Sequence, residues 1–385
     1  MLRMFVAALV ALCGLAADAR AQPQDRAPGT NPHWIESETR IASVPARMSF
    51  PRIAGSLSFT GTRALSADGE EIDSTAQYRS ADRQIVGTVY VYLPGLAHPG
   101  LASFATQQAI RVGSSSPVRL VRSRTVSAGR LENMAIRDDY ENYRDGNSSS
   151  AAFLKAGRWQ IKIRVTGPES RRREVDSAMD ALLAGIEFGR QNPAQDPSPL
   201  TVTDCAPEQT QRDAHLLPDP PAEQLAAHAF LGTFDGGGMI ATDENGARRD
   251  LPSRVPRELC LSGGVHVGAQ SGGQTIPVLR AAAGPGLAIE GRTLLVAILS
   301  DSGTWIEVVH ARNLDRYLML FHQIGSTRLL GAYDGVPSDR QIAELLAGTQ
   351  SEAARIRAVI RLTPDGRTEI ELLPAPQTAP SAPVT

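Results

Sequence analysis

The chain has 385 residues, and its 42% hydrophobic and 21% charged content is that of a globular protein rather than a disordered or fibrous one. Its formal net charge of −2 argues against a general nucleic-acid binder, which is usually basic. A chain of this length exceeds one ordinary hydrophobic core, so we expect two domains with tails.

The first 21 residues have the pattern of a secretory signal peptide. Arg3 gives a positive start, residues 4–17 are almost entirely apolar, and Ala19 and Ala21 form an A-x-A cleavage site. No later stretch has the roughly 18–20 consecutive apolar residues that a membrane-spanning helix needs. We therefore predict a protein without a transmembrane segment that is exported to a bacterial periplasm.

Alternating apolar residues predict the strands of a first domain. In residues 156–165, Trp159, Ile161, Ile163 and Val165 share one face, and polar residues occupy the other. Further strands are predicted at residues 84–93, 119–126 and 131–140, and helices at residues 99–113 and 171–188. An antiparallel sheet with helices packed on it satisfies this order most simply.

A family resemblance rests on two segments of this domain. Residues 49–55 (SFPRIAG) lead into the strand at residues 88–92 (TVYVY). With the order of elements over residues 45–190, this resembles the α/β/α sandwich of the PsbP/Mog1-like domains, and uncharacterised bacterial exported proteins that are built in the same way. The resemblance implies an adaptor or accessory role more often than catalysis, and it brings no motif residues with it.

Two polar features of the first domain have a functional and a structural interpretation. Tyr90 and Tyr92 could stack on a ligand, or could lie under a helix with their hydroxyls reaching solvent. Arg158, Lys162 and Arg164 alternate on the outward face of their strand and could bind an anionic partner. The alternative is a solvated sheet face whose cations pair with nearby acids.

Residues 191–221 are rich in proline and predict a linker, because each proline removes a backbone donor and disfavours a helix or a central strand. Cys13 lies in the predicted signal peptide, which leaves Cys205 and Cys260. Two cysteines in an oxidising compartment favour a disulfide. In the chain-entropy model, closing a loop of about 55 residues contributes about 4 kcal/mol.

A second set of elements predicts another domain of the same plan. Helices are predicted at residues 222–230 and after Ser338, which forms a capping box with Gln341. Strands are predicted in residues 259–280, 293–300, 304–311, 317–324, 328–333 and 356–372, with a hairpin turn at residues 301–303. Glycine-rich residues 235–238 predict a loop.

The chain has seven histidines and no H-E-x-x-H or H-x-H pair. A hairpin centred on Leu314 would place His310 and His322 on one face, but more than about 10 Å apart, too far to share a metal. Both then belong to the core, and Trp305 nearby is predicted to pack rather than to stack on a ligand.

The segment around Ser271 is superficially similar to the nucleophile loop of trypsin-like proteases, and that around His228 to their histidine segment. The two are too close in sequence to build a two-barrel protease, and Gln270 replaces the acid that precedes the serine there. No nucleophile elbow, S-x-x-K, P-loop or Rossmann glycine pattern occurs in a strand-to-helix context. The sequence therefore predicts no catalytic, cofactor-binding or metal-binding residue.

These observations predict an α+β protein of two domains, each a mainly antiparallel sheet packed with helices. The predicted segments are a signal peptide (1–21), an N-terminal extension (22–44), a first domain (45–190), a linker (191–221), a second domain (222–373) and a disordered Pro/Ala tail (374–385). We expect a non-catalytic exported envelope protein that binds an envelope protein or a small ligand, with no cofactor and no nucleic acid. The alternative is a periplasmic hydrolase whose catalytic cluster forms only in three dimensions.

Overall fold

The computed structural model describes most of the chain beyond the predicted signal peptide. The described residues are 33–66, 71–113, 117–144, 146–206, 213–231, 240–242, 248–250, 253–267, 274–281, 292–346 and 356–373. The predicted signal peptide, the predicted loop at residues 235–238, Ser271 and the predicted tail at residues 374–385 lie outside them. Residues 32–385 cluster into one unit, and the division of this unit into two domains stays a prediction.

The regular structure of the described residues consists of four helices, two large sheets and three smaller ones. The helices are α1 (Pro99–Val112), α2 (Arg172–Ala184), α3 (Ala222–Leu231) and α4 (Asp339–Leu346). A small sheet has the order β1 (Trp34–Glu36), β2 (Arg40–Ser43), β3 (Met48–Pro51) and β12 (Glu187–Phe188).

The first nine-stranded sheet contains the strongest predicted strand. Its members are β4 (Ile53–Ala54), β5 (Leu57–Ala64), β6 (Asp73–Ser80), β7 (Val86–Tyr92), β8 (Arg119–Ala128), β9 (Leu131–Tyr143), β10 (Asn147–Ala156), β11 (Trp159–Pro168) and β13 (Ala194–Gln195). The order is β4-β5-β6-β7-β11-β10-β9-β8, and β13 pairs with β10.

Helices cover the first sheet on both faces because its strands alternate. On one face, Ile161 and Ile163 of β11 and Leu154 of β10 join the apolar side of α2 in one core cluster. On the other face, Phe153 packs with Ala102 of α1 in a separate cluster. The sheet is therefore the middle layer between α1 and α2.

The second nine-stranded sheet is formed by the later part of the chain. Its order is β14 (Thr201–Asp204), β17 (Glu258–Leu261), β20 (Val278–Ala281), β21 (Arg292–Ile298), β22 (Trp305–Ala311), β23 (Arg316–Gln323), β24 (Ser326–Tyr333), β25 (Ala358–Leu362) and β26 (Thr368–Leu372). Two further strand pairs are β15 (Ile240–Thr242) with β16 (Arg248–Asp250), and β18 (Val265–Val267) with β19 (Gln274–Ile276). β14 is parallel to β17, whereas the other neighbours in the large sheet are antiparallel.

The predicted fold class, α+β, is wrong, because it overstates the share of helix relative to strand. Strands take 51% of the described residues and helices 17%, so the protein is mostly β. All four predicted helices are present, and the error lies in the strands. β10 was missed because nine of its ten side chains are buried, which removes the alternation that identifies a half-buried strand. β1 to β4 were missed because each has only two to four residues.

The hairpin of β22 and β23 has a register that differs by one residue from the prediction. His310 pairs with Tyr317, and Trp305 pairs with His322. Because side chains alternate along a strand, this shift places His310 and His322 on opposite faces of the sheet. His310 stacks on the ring of Tyr317, with ring centroids 4.7 Å apart, while His322 is fully buried.

The two large sheets meet through a loop and an ion pair. Pro94 forms an isolated bridge with Ile324, and the Gly95 nitrogen donates to the Gln323 carbonyl at 2.8 Å. Gly95 must be glycine here, because an added Cβ would lie 2.4 Å from Thr327 Oγ1. The Nζ of Lys162 donates to Asp301 Oδ2 at 2.5 Å.

Among the described residues, no helix combines the length and the apolar character needed to cross a membrane.

Asp73 begins β6 and makes the stability of the protein depend on pH. Burial raises the pKa of its carboxyl from 3.8 to about 7. Between these values the folded protein holds a proton that the unfolded chain releases, so stability falls as the pH rises through this range. We expect Asp73→Asn to raise the free energy of unfolding by about 1–2 kcal/mol at pH 8 and to leave it unchanged at pH 3.5, a modest effect because the side chain keeps some solvent contact.

Urea titrations at both pH values would test this expectation. Glu369→Gln removes an exposed carboxylate from β26 and controls for the loss of one surface charge. A stabilisation by Asp73→Asn that was equal at pH 3.5 and pH 8 would contradict the assignment of a raised pKa.

Candidate functional site: a groove beside helix α1

Helix α1 begins where His98 caps it. The imidazole Nδ1 of His98 accepts from the Leu101 nitrogen at 3.1 Å, and Pro99 follows at the first helical position. Gly100 allows the chain after β13 to approach closely, because an added Cβ would lie 2.3 Å from the Ser198 carbonyl oxygen. This approach places residues 198–204 beside the helix.

A cavity of about 450 Å³ opens between α1, β8, β9 and the segment that contains β14. The helix contributes Ser103, Gln107, Gln108 and Arg111, which repeat at helical spacing along one side. The strands contribute Ser123, Thr203 and Asp204, and the apolar lining consists of Phe104, Leu120, Ile136, Leu200, Val202 and Leu261. We call this cavity the α1 groove. Its size lies within the range of about 300–1,000 Å³ that is usual for small-ligand sites.

Asp138 lies on the side of β9 that faces α1, behind the lining of the α1 groove. It pairs in register with Ser123 of β8, and Ile136 precedes it by two residues on the same face. Its side chain is fully buried. Oδ2 accepts from Ser103 Oγ at 2.6 Å, Gln107 Nε2 at 3.2 Å and the Tyr140 hydroxyl at 3.3 Å. Oδ1 is buried without a hydrogen-bond partner among the described residues.

The residues on either side of Asp138 hold β9 on the opposite face. Arg137 is buried, and its guanidinium donates to Asp139 at 2.7 Å and to Asp176 and Asp180 of α2 at 2.5 Å each. Burial alone would raise the pKa of Asp139, but the charge of Arg137 and several hydrogen bonds lower it to about 2. This network fixes the strand, so Asp138 is directed toward α1.

The electrostatics of the α1 groove follow from one buried and two exposed charges. Arg111 and Asp204 are exposed at its rim. Burial raises the pKa of the Tyr140 hydroxyl well above 10, and the negative charge of Asp138 raises it further, while Arg164 and Arg111 act in the opposite direction. Tyr140 is therefore a neutral donor, and it cannot act as a base.

The opposite wall of the groove is held by the disulfide. Cys205 follows β14 directly and is bonded to Cys260 of β17, as the sequence predicts. The Cys205 nitrogen also donates to the Leu261 carbonyl at 3.1 Å. The predicted linker thus contains regular structure, since residues 201–204 form an edge strand of the second sheet.

The predicted cationic stripe is not a solvated face. Lys162 is buried with Asp301, and burial lowers the pKa of its ammonium despite that partner. Arg164 lies over the ring of Tyr143 at 4.4 Å. Arg158 donates to Thr368 Oγ1 at 2.7 Å. The stripe was misassigned because α1 and the turn after β21 cover this face, which no local pattern reveals.

Tyr90 and Tyr92, the two tyrosines considered for ligand stacking, lie on the same covered face of the sheet. Tyr92 is buried, and its hydroxyl has no partner among the described residues. Tyr90 is half-buried, with the Lys162 ammonium 5.8 Å from its ring centroid. Packing rather than ligand stacking therefore accounts for both. Trp305 is fully buried and packs in the same way.

His322 belongs to a closed polar network in the second sheet. Its Nε2 donates to Glu307 Oε2 at 2.8 Å, and its Nδ1 accepts from Thr327 Oγ1 at 2.8 Å. Arg254 and Thr293 also donate to Glu307. His322 and Glu307 have no exposed surface, and Arg254 is 5% exposed. A network so closed is structural, because no substrate reaches it.

The protease-like pair cannot be assembled from the described residues. His228 in α3 is buried, its Nε2 has no described partner, and burial lowers its pKa to about 4. Ser271 lies in a segment that is not described. In the part of the chain that is described, no three His, Cys, Asp or Glu side chains are grouped to hold a metal ion.

No family model matches the chain, and no curated protein matches it. The solution structure of cyanobacterial PsbP (CyanoP) from Synechocystis sp. is 10% identical and covers 44% of this chain and 100% of that chain, with a TM-score of 0.30. A crystal structure from Bacteroides thetaiotaomicron is 13% identical and covers 50% of this chain and 58% of that chain, with a TM-score of 0.25. The chain is thus distantly similar to PsbP over part of its length, and nothing about function follows at these TM-scores.

Sequence reasoning missed the α1 groove, although one signal was present. Ser103, Gln107 and Arg111 recur every four residues on the predicted helix, which places three polar side chains in one row. The partner of that row, Asp138, is 31 residues from Gln107 in sequence. Their contact depends on the sheet register, so the chain alone does not reveal it.

Proposed function

We propose that the protein is an exported, non-catalytic binding protein of the bacterial cell envelope, and that the α1 groove is its ligand site. The single observation that carries the proposal is the groove itself. Polar side chains converge there on a cavity of about 450 Å³ with an apolar wall. Concave sites of this kind, with few polar groups and much apolar surface, are the usual form of small-ligand sites.

Export to the periplasm is proposed on the signal-peptide pattern of residues 1–21 and is supported by the disulfide. A disulfide persists in oxidising compartments and is rare in the bacterial cytosol. N-terminal sequencing of the protein recovered from a periplasmic fraction should begin at Gln22. Recovery of the chain from the cytosol with Met1 in place and both thiols free would refute this part of the proposal.

Blocking the α1 groove tests the binding function. Ser123→Phe should fill the groove from β8, whereas Ser127→Phe adds the same ring four residues further along the strand, outside the lining. Both serines are exposed, so both variants should fold. After incubation with the small-molecule fraction of a periplasmic extract, native mass spectrometry should show the same bound mass on wild type and Ser127→Phe. We expect at least a tenfold lower occupancy on Ser123→Phe.

Two results of this experiment would contradict the proposal. Equal occupancy on Ser123→Phe and Ser127→Phe would place binding outside the groove, and an absence of any bound small molecule on all three proteins would refute a ligand-binding role for it.

A periplasmic hydrolase is the competing function. The buried, unprotonated imidazole of His228 is compatible with a general base, but its pKa of about 4 makes it a weak one near neutral pH. A fluorophosphonate probe that labelled wild type and not Ser271→Ala would favour the hydrolase over the binding protein.

A further inference from the structure

Asp138 fixes the hydrogen-bond directions of two side chains of the α1 groove, Ser103 and Gln107. Because the accepting oxygen of a carboxylate cannot donate, Ser103 must turn its hydroxyl proton toward Oδ2, at 2.6 Å. Gln107 must likewise turn its Nε2 inward, to Asp138 Oδ2 and to Ser103 Oγ, each at 3.2 Å. This leaves the Gln107 carbonyl oxygen, Oε1, for the groove.

The inner end of the groove is therefore rich in acceptors. Gln107 offers Oε1, and the oxygen of Ser103 can accept but no longer donate to a ligand. The unpartnered Oδ1 of Asp138 lies behind this end and adds negative potential. A ligand group that only donates, such as an ammonium, fits this end best.

The outer end of the groove has the opposite character. Arg111 follows Gln107 by four residues on α1, which sets the two about 6 Å apart along the helix axis. Its side chain is exposed, and no hydrogen bond or ion pair within the described residues engages its guanidinium. A guanidinium presents paired donors that match a carboxylate.

Apolar side chains lie in the same groove as these two ends. Phe104 of α1 faces Leu200 and Val202 of the strand segment, with Leu261 beside them. A hydrocarbon group between an ammonium and a carboxylate would remove apolar surface from water here.

We propose that the α1 groove takes a small zwitterion, namely an amino acid or a short peptide with a free amino group and a free carboxylate. The ammonium meets Gln107 Oε1 and Ser103 Oγ, and the carboxylate meets Arg111. The proposal rests on the proposed function of the groove as a ligand site. A polyamine would place a cation beside Arg111, and a dianion would place an anionic group beside the acceptors of Gln107 and Ser103, so each meets one end unfavourably. A neutral sugar would leave the Arg111 guanidinium without a counter-charge.

Four probe pools test the assignment by isothermal titration with the full exported chain. The first pool contains the twenty amino acids and the twenty Ala-X dipeptides. The second and third are the same compounds N-acetylated and methyl-esterified, which removes the amine charge or the carboxylate. The fourth contains monosaccharides and disaccharides. We expect saturable binding of the first pool, with affinity at least tenfold lower for the second and third and no binding of the fourth.

Two variants test which end of the groove binds the carboxylate of the ligand and which binds its ammonium. Arg111→Gln, at an exposed position, should weaken the unmodified pool about tenfold and leave the methyl-ester pool unchanged. Arg130→Gln in the turn between β8 and β9 is the matched control and should change neither. Asp138→Asn can donate toward Gln107, which frees that amide to turn its nitrogen to the groove. This variant should weaken the unmodified pool and abolish its preference over the N-acetylated pool.

Because Asp138 is buried, its variant is accompanied by a melting curve, and Gln107→Leu, at a half-buried position, replaces it if it does not fold. Equal binding of the acetylated and unmodified pools would overturn the zwitterion, and so would binding of sugars alone. In either case sensitivity to Ser123→Phe would preserve the groove as a ligand site. No binding of any pool overturns the zwitterion, and the native-mass experiment then decides the wider function separately.

Discussion

Glu307→Gln should lower the free energy of unfolding by about 3–5 kcal/mol, one of the two largest effects that we expect from a change to this protein. The wild-type carboxylate has no exposed surface and accepts from Arg254, Thr293 and His322. Glutamine keeps the volume but removes the charge, which leaves the Arg254 cation in the core without a full counter-charge. It also replaces one accepting oxygen with an amide nitrogen, which faces a donor.

The stability that this network contributes depends on pH, because the pKa values of Glu307 and His322 both differ from their usual values. Burial would raise the pKa of Glu307, but Arg254 and the hydrogen bonds from His322 and Thr293 lower it from 4.5 to about 2. The stabilisation from this carboxylate is therefore complete above pH 4.5 and is lost as the pH falls toward 2. Burial lowers the pKa of His322 from 6.5 despite Glu307, so the unfolded chain takes up a proton below pH 6.5 that the folded protein does not.

The stability lost through Glu307→Gln should thus be complete above pH 4.5 and should shrink as the pH falls toward 2, because the wild-type carboxylate is then protonated too. Guanidinium titrations at pH 7, 5 and 3 measure both effects. Glu369→Gln is the matched control on the exposed edge strand β26, where we expect a change below about 0.5 kcal/mol. A loss of under 1 kcal/mol for Glu307→Gln at pH 7 would show that the network does not stabilise the second sheet.

Local sequence patterns predicted the helices and several strands of this protein. They did not predict the share of strand in the fold or the contacts between elements. β11 alternates so regularly that its buried face could be read from residues 159, 161, 163 and 165, and the capping box of Ser338 and Gln341 is present with hydrogen bonds of 3.0 and 3.3 Å. β10 has no such pattern because both of its faces are covered. The sequence therefore predicted too little strand, and the fold class was wrong.

The α1 groove could not be predicted, because the contact of Asp138 with Gln107 depends on the sheet register. The polar faces of the sheets were misjudged for a related reason. Lys162 and Gln160 lie on the face of β11 that a strand pattern assigns to solvent, yet both are buried under other elements. A polar face of a sheet is covered when another element supplies partners, such as Asp301 for Lys162. Such partners are far away in sequence. In the same way, a shift of one residue in the pairing of β22 with β23 places His310 and His322 on opposite faces. That register is seen only from the observed pairs, His310 with Tyr317 and His322 with Trp305.

The double variant Cys205→Ser, Cys260→Ser should lose about 3–4 kcal/mol of stability in oxidising buffer. The bond joins residues 55 apart, so its removal restores much freedom to the unfolded chain. The native state offers little to compensate, because β14 has four residues, three of them exposed, and forms the edge of its sheet through one parallel pairing. The double variant is preferred to Cys205→Ser alone because it leaves no free thiol.

Melting curves with and without dithiothreitol measure this loss on a chain that is expressed from Gln22 and therefore lacks Cys13. We expect the melting temperature of the variant to be lower than that of wild type without reductant and equal to it with reductant, because reduction removes the same constraint from wild type. Since β14 also lines the α1 groove, the variant should retain less of any small molecule that binds there, at a temperature where it is still folded. Equal melting of the two proteins without reductant would show that the bond does not form in solution, and the facing wall of the groove would then lack its covalent tie to β17.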